Sequence, residues 1–304
     1  MRSDTPIFLA EEEVRLNFWK TIILLLLMIA CIFGISWFLG KLCSNVTLGL
    51  KIGFLVCIII IPLELMFAKF AIVSLTGCVP LDLNNPAERR LQNIVEGISI
   101  SAGLRKVPDV YLLETMIPNA FAAGWNEQSA LIGITTGLAD MMDDQELEGV
   151  IAHEISHIVH HDTMICQMAL ALNSGILILC LFIRWVSMFC AVRSRDLISQ
   201  VIFWLLFIFI YPFGVLAGLI LCAAISRKRE FSADAFAVRL CSYNEGLARA
   251  LEKLKEATPA YGKKEIDELG GGELECLFFY FPEDSLLSTH PPIEERITKL
   301  RNMY

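Results

Sequence analysis

Cysteine motifs are missing from a chain that has ten cysteines. None of positions 31, 43, 57, 78, 166, 180, 190, 222, 241 and 276 forms a Cys-x-x-Cys pair, and several lie inside apolar runs. That excludes a cysteine-based zinc site and a disulfide framework. The cysteines read as small buried hydrophobes, in soluble parts kept in a reducing compartment. Basic charge is scarce too: 25 Lys and Arg stand against 33 Asp and Glu, a net charge of −8. Nucleic-acid binding, which needs clustered cations, is therefore not expected. The one cluster, Arg227-Lys228-Arg229, follows an apolar run and is explained as a juxtamembrane anchor. A cleavable signal peptide is not expected, because Glu11, Glu12 and Glu13 precede an apolar run too long for one. No internal repeat is visible.

Apolar residues are what the chain has in excess, at 55% with a mean hydropathy of +0.58. They are concentrated in runs. Thr21 to Gly40, Thr163 to Ile183 and Leu197 to Ser226 carry no charge, and Ile52 to Ala68 carries only Glu64. Each has about the length needed to cross the hydrocarbon core, so about four transmembrane helices are expected. Residues 163–226 would form a spanning or membrane-dipping hairpin, with Pro212 and Gly214 as kink points. Glu64 is read as lying near one interface or facing the bundle. Lys and Arg near the span ends put the amino terminus, residues 77–162 and residues 227–304 on the cytoplasmic side. The expected organisation is 1–76 with two spans, 77–162 as a first catalytic block, 163–226 as the hairpin and 227–304 as a second block.

In the first block, Asn84 to Gly103 reads as a helix with Leu91, Ile94, Val95 and Ile98 at helical spacing. Val110 to Leu113 and Ser129 to Thr135 read as strands, with Pro118 to Gly124 extended between them, predicting a hairpin or small sheet. Asp143 to His161 is the best helix: Asp143 and Glu146 make a capping-box start, and Leu147, Val150, Ile151, Ile155 and Ile158 form one stripe. In the second block, residues 259–285 read as a surface insertion interrupted by Leu277-Phe278-Phe279-Tyr280-Phe281, an aromatic stretch expected to dock on the domain or the bilayer.

His153-Glu154-Ile155-Ser156-His157 is H-E-x-x-H. Residues four apart stack on one helix face, so the two imidazoles converge on one ion, and Glu154 reaches a water bound to it. Imidazole suits Zn2+, which keeps a position open for water. The long metzincin pattern needs Gly at 160 and His at 163. The chain has His160 and Thr163, so that class is excluded. Glu230 and Asp234, four apart on a predicted helix, supply the third ligand and a hydrogen-bond partner for a ligand histidine. His160, His161 and Asp162 read as a polar helix end rather than a second metal site.

With these residues in order, the chain resembles the HtpX-type membrane proteases, bacterial relatives of the CAAX prenyl proteases. The likeness runs through two amino-terminal spans, Pro118-Asn119-Ala120-Phe121-Ala122, the H-E-x-x-H helix, a hairpin, Arg229-Glu230-x-x-x-Asp234, Ser288-Thr289-His290-Pro291-Pro292 and Arg296. It implies an α+β, mostly helical integral membrane protein with a zincin-like catalytic domain containing a small sheet. It implies a zinc endopeptidase with one Zn2+ on His153, His157 and Glu230. Glu154 would be the base, and His290 would stabilise the oxyanion with support from Arg296. Asn119, Ala120 and Phe121 would bind substrate backbone as an edge strand. Polypeptide substrates, chiefly misfolded membrane proteins of the bacterial inner membrane, self-cleavage and a stress-response role are implied as well. His160-His161 and the longer 259–285 insertion depart from the family pattern.

Overall fold

The computed structural model describes residues 45–164, 166, 167, 229–257, 279 and 291–303, with Leu181 and scattered positions between Trp19 and Lys41. The predicted third and fourth spans and His290 lie essentially outside the described residues. The chain divides into two units. One takes in Met1–Trp19, Phe67–Gln167 and Cys222–Tyr304; the other takes in Lys20–Met66 and Met168–Leu221.

In the second of these, residues 32–38 are helical and α1 spans Val46–Leu55, capped by the Asn45 side chain on the Leu48 N–H. The two approach closely because their contact is built from small residues. A Cβ on Gly49 would lie 2.3 Å from the Ser36 carbonyl oxygen and 2.8 Å from the Gly40 Cα. A π-turn, Val56–Ile60, follows α1 and leads into α2, Ile61–Thr76. Pro62 has no N–H to give to the preceding turn, which accounts for the widened turn just before it. Among the described residues no helix is long and apolar enough to cross a membrane.

The other unit is built on a four-stranded mixed sheet. Its strands are β1 (Val79–Pro80), β2 (Asp109–Leu113), β3 (Ala120–Ala123) and β4 (Leu131–Thr135), in the order β1-β2-β4-β3. β3 and β4 form an antiparallel hairpin, but β2 lies parallel to β4, pairing Tyr111 with Gly133. β3 is left at the end of the sheet. Strand alternation sends Ala120 and Ala122 into the main core. The Phe121 ring goes to the other face, over Gly133, where a Cβ would come within 2.1 Å of it.

Helices cover the core face. α3, Pro86–Ser101, starts where Asn85 accepts from the Ala87 N–H and Pro86 fills a position whose N–H would be unpaired anyway. Leu91, Val95 and Ile98 are its buried stripe. A short α4, Thr136–Met141, leads to α5, Asp144–Val159. The capping box is complete: the Glu146 N–H donates to Asp143 and the Asp143 N–H donates to Glu146, each at 2.9 Å. α5 ends at His160, and His161 turns the chain with a φ of 59°.

Residues 229–241 form α6, followed by α7, Glu245–Ala257, and α8, Ile293–Arg301. α7 is an element the sequence reading did not anticipate. It packs on α5 with almost no gap, since a Cβ on Gly149 would meet the Leu247 backbone nitrogen at 2.8 Å. Leu247, Leu251, Leu254 and Leu300 complete the core. This mostly helical architecture with a small mixed sheet puts α5 at the centre, against the sheet and α3 on one side and α7 on another.

Candidate active site

Helix periodicity places His153, Glu154 and His157 on neighbouring turns of α5. The two Nε2 atoms are 3.1 Å apart, with the rings nearly perpendicular at 84°. α6 brings Glu230 to the same point: its Oε2 is 3.5 Å from His153 Nε2 and its Oε1 is 3.5 Å from His157 Nε2. One ligand atom from each of the three residues lies within 4.8 Å of the others. Glu154 and Glu230 are buried, and the His153 ring is closed off completely.

The other side of each imidazole is also held. His153 Nδ1 lies 2.9 Å from Asp234 Oδ1. Arg296 closes on that carboxylate as a fork, Nε to Oδ2 at 2.9 Å and Nη2 to Oδ1 at 2.7 Å. His157 Nδ1 lies 2.9 Å from Asp162 Oδ2, and Arg229 Nη1 is 3.1 Å from Asp162 Oδ1. A carboxylate on Nδ1 puts the ring proton there and aims the Nε2 lone pair at the centre of the group. Two such lone pairs and a carboxylate converging in a buried space repel one another unless a cation lies among them. The set therefore fits a metal ion, and imidazole with carboxylate suits zinc.

Burial alone would raise the Asp234 and Asp162 carboxyls, but the Arg296 and Arg229 charges and the paired histidines hold both below the ordinary range. Burial would lower the histidines. For His157 the Asp162 hydrogen bond and the Glu230 charge outweigh it, and the ring is pushed up to about 9. His153 is raised by its bonds to Asp234 and Glu230, against burial and the Arg296 charge. The Glu154 charge acts on both His157 and Arg296.

Of the residues singled out in the sequence, Asn119 is buried at the start of β3, and its Oδ1 accepts the Ala120 N–H at 2.9 Å. The Phe121 side chain lies over Gly133. Arg296 contacts Asp234 and, at 3.4 Å, Glu230. His160 is buried with its Nδ1 3.0 Å from Ser156 Oγ and its ring against Phe236. Three contributors had been given other parts: Asp162, read as belonging to a polar helix end, Arg229, read as a juxtamembrane anchor, and Phe279, in a stretch read as docking on the domain or the bilayer. Phe279 puts its ring centroid 4.9 Å from that of His153. Only the first had a local signal, an acid just past the end of the H-E-x-x-H helix.

The model of a protein family described as peptidase family M48 matches residues 85–304, which include every residue of this cluster. The chain belongs to peptidase family M48. It is thus a metallopeptidase that cleaves polypeptides. Among its M48 relatives, a protein named protease HtpX homolog from Streptococcus gordonii is 33% identical, covering 96% of this chain and 99% of its own length. Another of the same name from Dictyoglomus turgidum is 34% identical, covering 97% and 95%. The crystal structure of S. mikatae Ste24p overlaps 95% of this chain and 66% of that one, with a TM-score of 0.48 and 16% identity. That overlap is too loose to carry weight.

Proposed function

We propose that this M48 peptidase is a zinc-dependent endopeptidase of the bacterial cytoplasmic membrane that degrades misfolded or damaged membrane proteins. The observation that carries the zinc assignment is the buried His153, His157 and Glu230 group, each imidazole backed by a carboxylate. These three residues would hold the ion. Bound there, zinc would supply a Lewis acid and a water that ionises near neutrality.

The chain's own residues do the rest. Asp234 and Asp162 fix the orientation of the two imidazoles. Glu154 accepts a proton from the attacking water and delivers it to the leaving amine. His290 is assigned to the developing oxyanion, with Arg296 supporting that side of the site. The substrate lies extended beside β3, its backbone bonded to the Asn119–Ala122 edge. This main-chain recognition asks little of sequence, which suits a protease for damaged proteins.

The membrane assignment rests on the amino-terminal region. Trp37, Phe38, Phe54, Phe67, Phe70 and Leu75 are all exposed, far more apolar surface than water tolerates in one stretch. The close Gly40, Gly49 and Ser36 contact is of the small-residue kind that packs helices in lipid. In this reading residues 1–76 and 163–226 are the membrane parts, while 77–162 and 227–304 form the catalytic part on the cytoplasmic face. Reconstituted in vesicles, the enzyme should cleave a single-span substrate with an unfolded tail on the catalytic face and spare one with its tail on the other face. Equal cleavage of both, or cleavage of neither by an enzyme active on soluble unfolded protein, would contradict the membrane assignment.

A further inference from the structure

Phe279 belongs to the aromatic stretch read from the sequence as docking on the domain or the bilayer. Its N–H donates to the Ala120 carbonyl at 2.8 Å. The Asn119 carbonyl points into the sheet, accepting the Thr135 N–H at 3.0 Å. Antiparallel alternation therefore turns the Ala120 carbonyl outward, to the free side of the end strand. Phe279 thus takes a main-chain acceptor on the very edge assigned above to substrate.

Its side chain goes into the site as well. The ring is 1% exposed and meets His153 edge-on at 82°. The Arg296 guanidinium stands 5.0 Å from its centroid. A lysine or arginine placed there would face Arg296 at close range, and a carboxylate would lose its water beside a His153 and an Arg296 already paired with Asp234 and Glu230. A large apolar side chain meets neither penalty, and an aromatic one gains from the cation and the ring edge.

We propose that Phe279 is an intramolecular substrate mimic, and that the subsite it fills beside His153 selects a large apolar residue of the substrate. Substrates then compete with Phe279 for the same backbone acceptor and the same pocket. The apparent affinity is lowered by the fraction of time Phe279 is seated. This inference rests on the substrate strand proposed above.

The test uses full-length protein in detergent with zinc bound and a peptide series varied at one residue. Phe279→Ala should lower KM by about tenfold without lowering kcat, and both proteins should prefer Phe or Leu over Ala, Lys and Glu at one position. An unchanged or raised KM would make Phe279 a fixed wall and overturn the proposal, as would a series cleaved without regard to that residue. Should Phe279→Ala fold poorly, a peptide of residues 273–284 with Cys276→Ser gives an independent reading. Its binding to Glu154→Gln protein, followed by anisotropy, should be lost when its Phe279 is replaced by Ala; equal binding of both peptides would overturn the proposal. Because binding needs no turnover, this arm separates a wrong subsite from a wrong catalytic assignment.

Discussion

The two imidazoles of the metal group are held by the same device, built in two ways. On the His153 side the carboxylate and its arginine come from distant parts of the chain. Asp234 and Arg296 meet in a two-bond fork, and all three side chains are 1% exposed. On the His157 side the carboxylate comes from just past the end of the same helix. Arg229 reaches it with Nη1 at 3.1 Å, and the ring is 16% exposed. A deeply buried, distant pair should carry the fold as well as the ion. A local, partly open pair should tune the ion more than the fold.

The largest effect that separates the two sides is expected from Arg296→Met. It leaves Asp234 buried without its cation, which should cost roughly 3–5 kcal/mol of stability and the metal with it; denaturant unfolding of the purified protein checks this. Asp162→Ala should instead weaken zinc binding by about 10–100-fold in chelator competition, with a smaller fall in the unfolding midpoint of the metal-free protein than Arg296→Met gives. Asp162→Asn, which keeps an acceptor for the His157 Nδ1–H, should recover most of that loss. If Asp162→Ala unfolds the protein as readily as Arg296→Met, the two sides are equivalent and the contrast fails.

A smaller difference is expected between two arginine-to-lysine changes. Lysine offers a point charge in place of a fork. Arg229→Lys should leave zinc binding within about tenfold of the wild type, while Arg296→Lys should resemble Arg296→Met.

The smallest effect lies outside the site and sets a baseline. Asp109, half exposed, pairs with Lys69 and Lys106. Burial would raise its carboxyl, but the two lysines bring it below the ordinary value of 3.8. A lowered folded-state pKa means stability that is present above the unfolded value and is lost as pH falls through the folded one. Asp109→Asn should therefore cost under about 1 kcal/mol at neutral pH, and the difference from wild type should vanish in strong acid. A difference that persists there would show that the pair acts by packing rather than charge.

What was legible in the sequence is what is local. The capping box at Asp143, the apolar stripe of α5 and the H-E-x-x-H spacing all follow from one helix's periodicity. α8, Ile293–Arg301, follows Pro291-Pro292 directly, and prolines just before a helix are a local start signal. Asp234 stands one turn from Glu230, so any helix that delivers one delivers the other. What was hidden is what the tertiary fold closes. Asp162 lies beside His157 where His161 takes a left-handed conformation and turns the chain back, a conformation uncommon outside glycine although histidine adopts it more readily than most residues. The parallel pairing of β2 with β4 depends on β3 folding around to the far edge. The partnership of Phe279 with Ala120 spans more than 150 residues and has no periodic signal.

In the mechanism proposed above, His153, His157 and Glu230 hold one zinc and Glu154 handles the proton. The direct measurement is bound zinc per chain, together with cleavage of an unfolded substrate, for the wild type and Glu154→Gln purified side by side. Close to one zinc is expected in both proteins, with cleavage only by the wild type. Folded protein that takes up no zinc when offered it, or a Glu154→Gln enzyme that cleaves as well as the wild type, would contradict it.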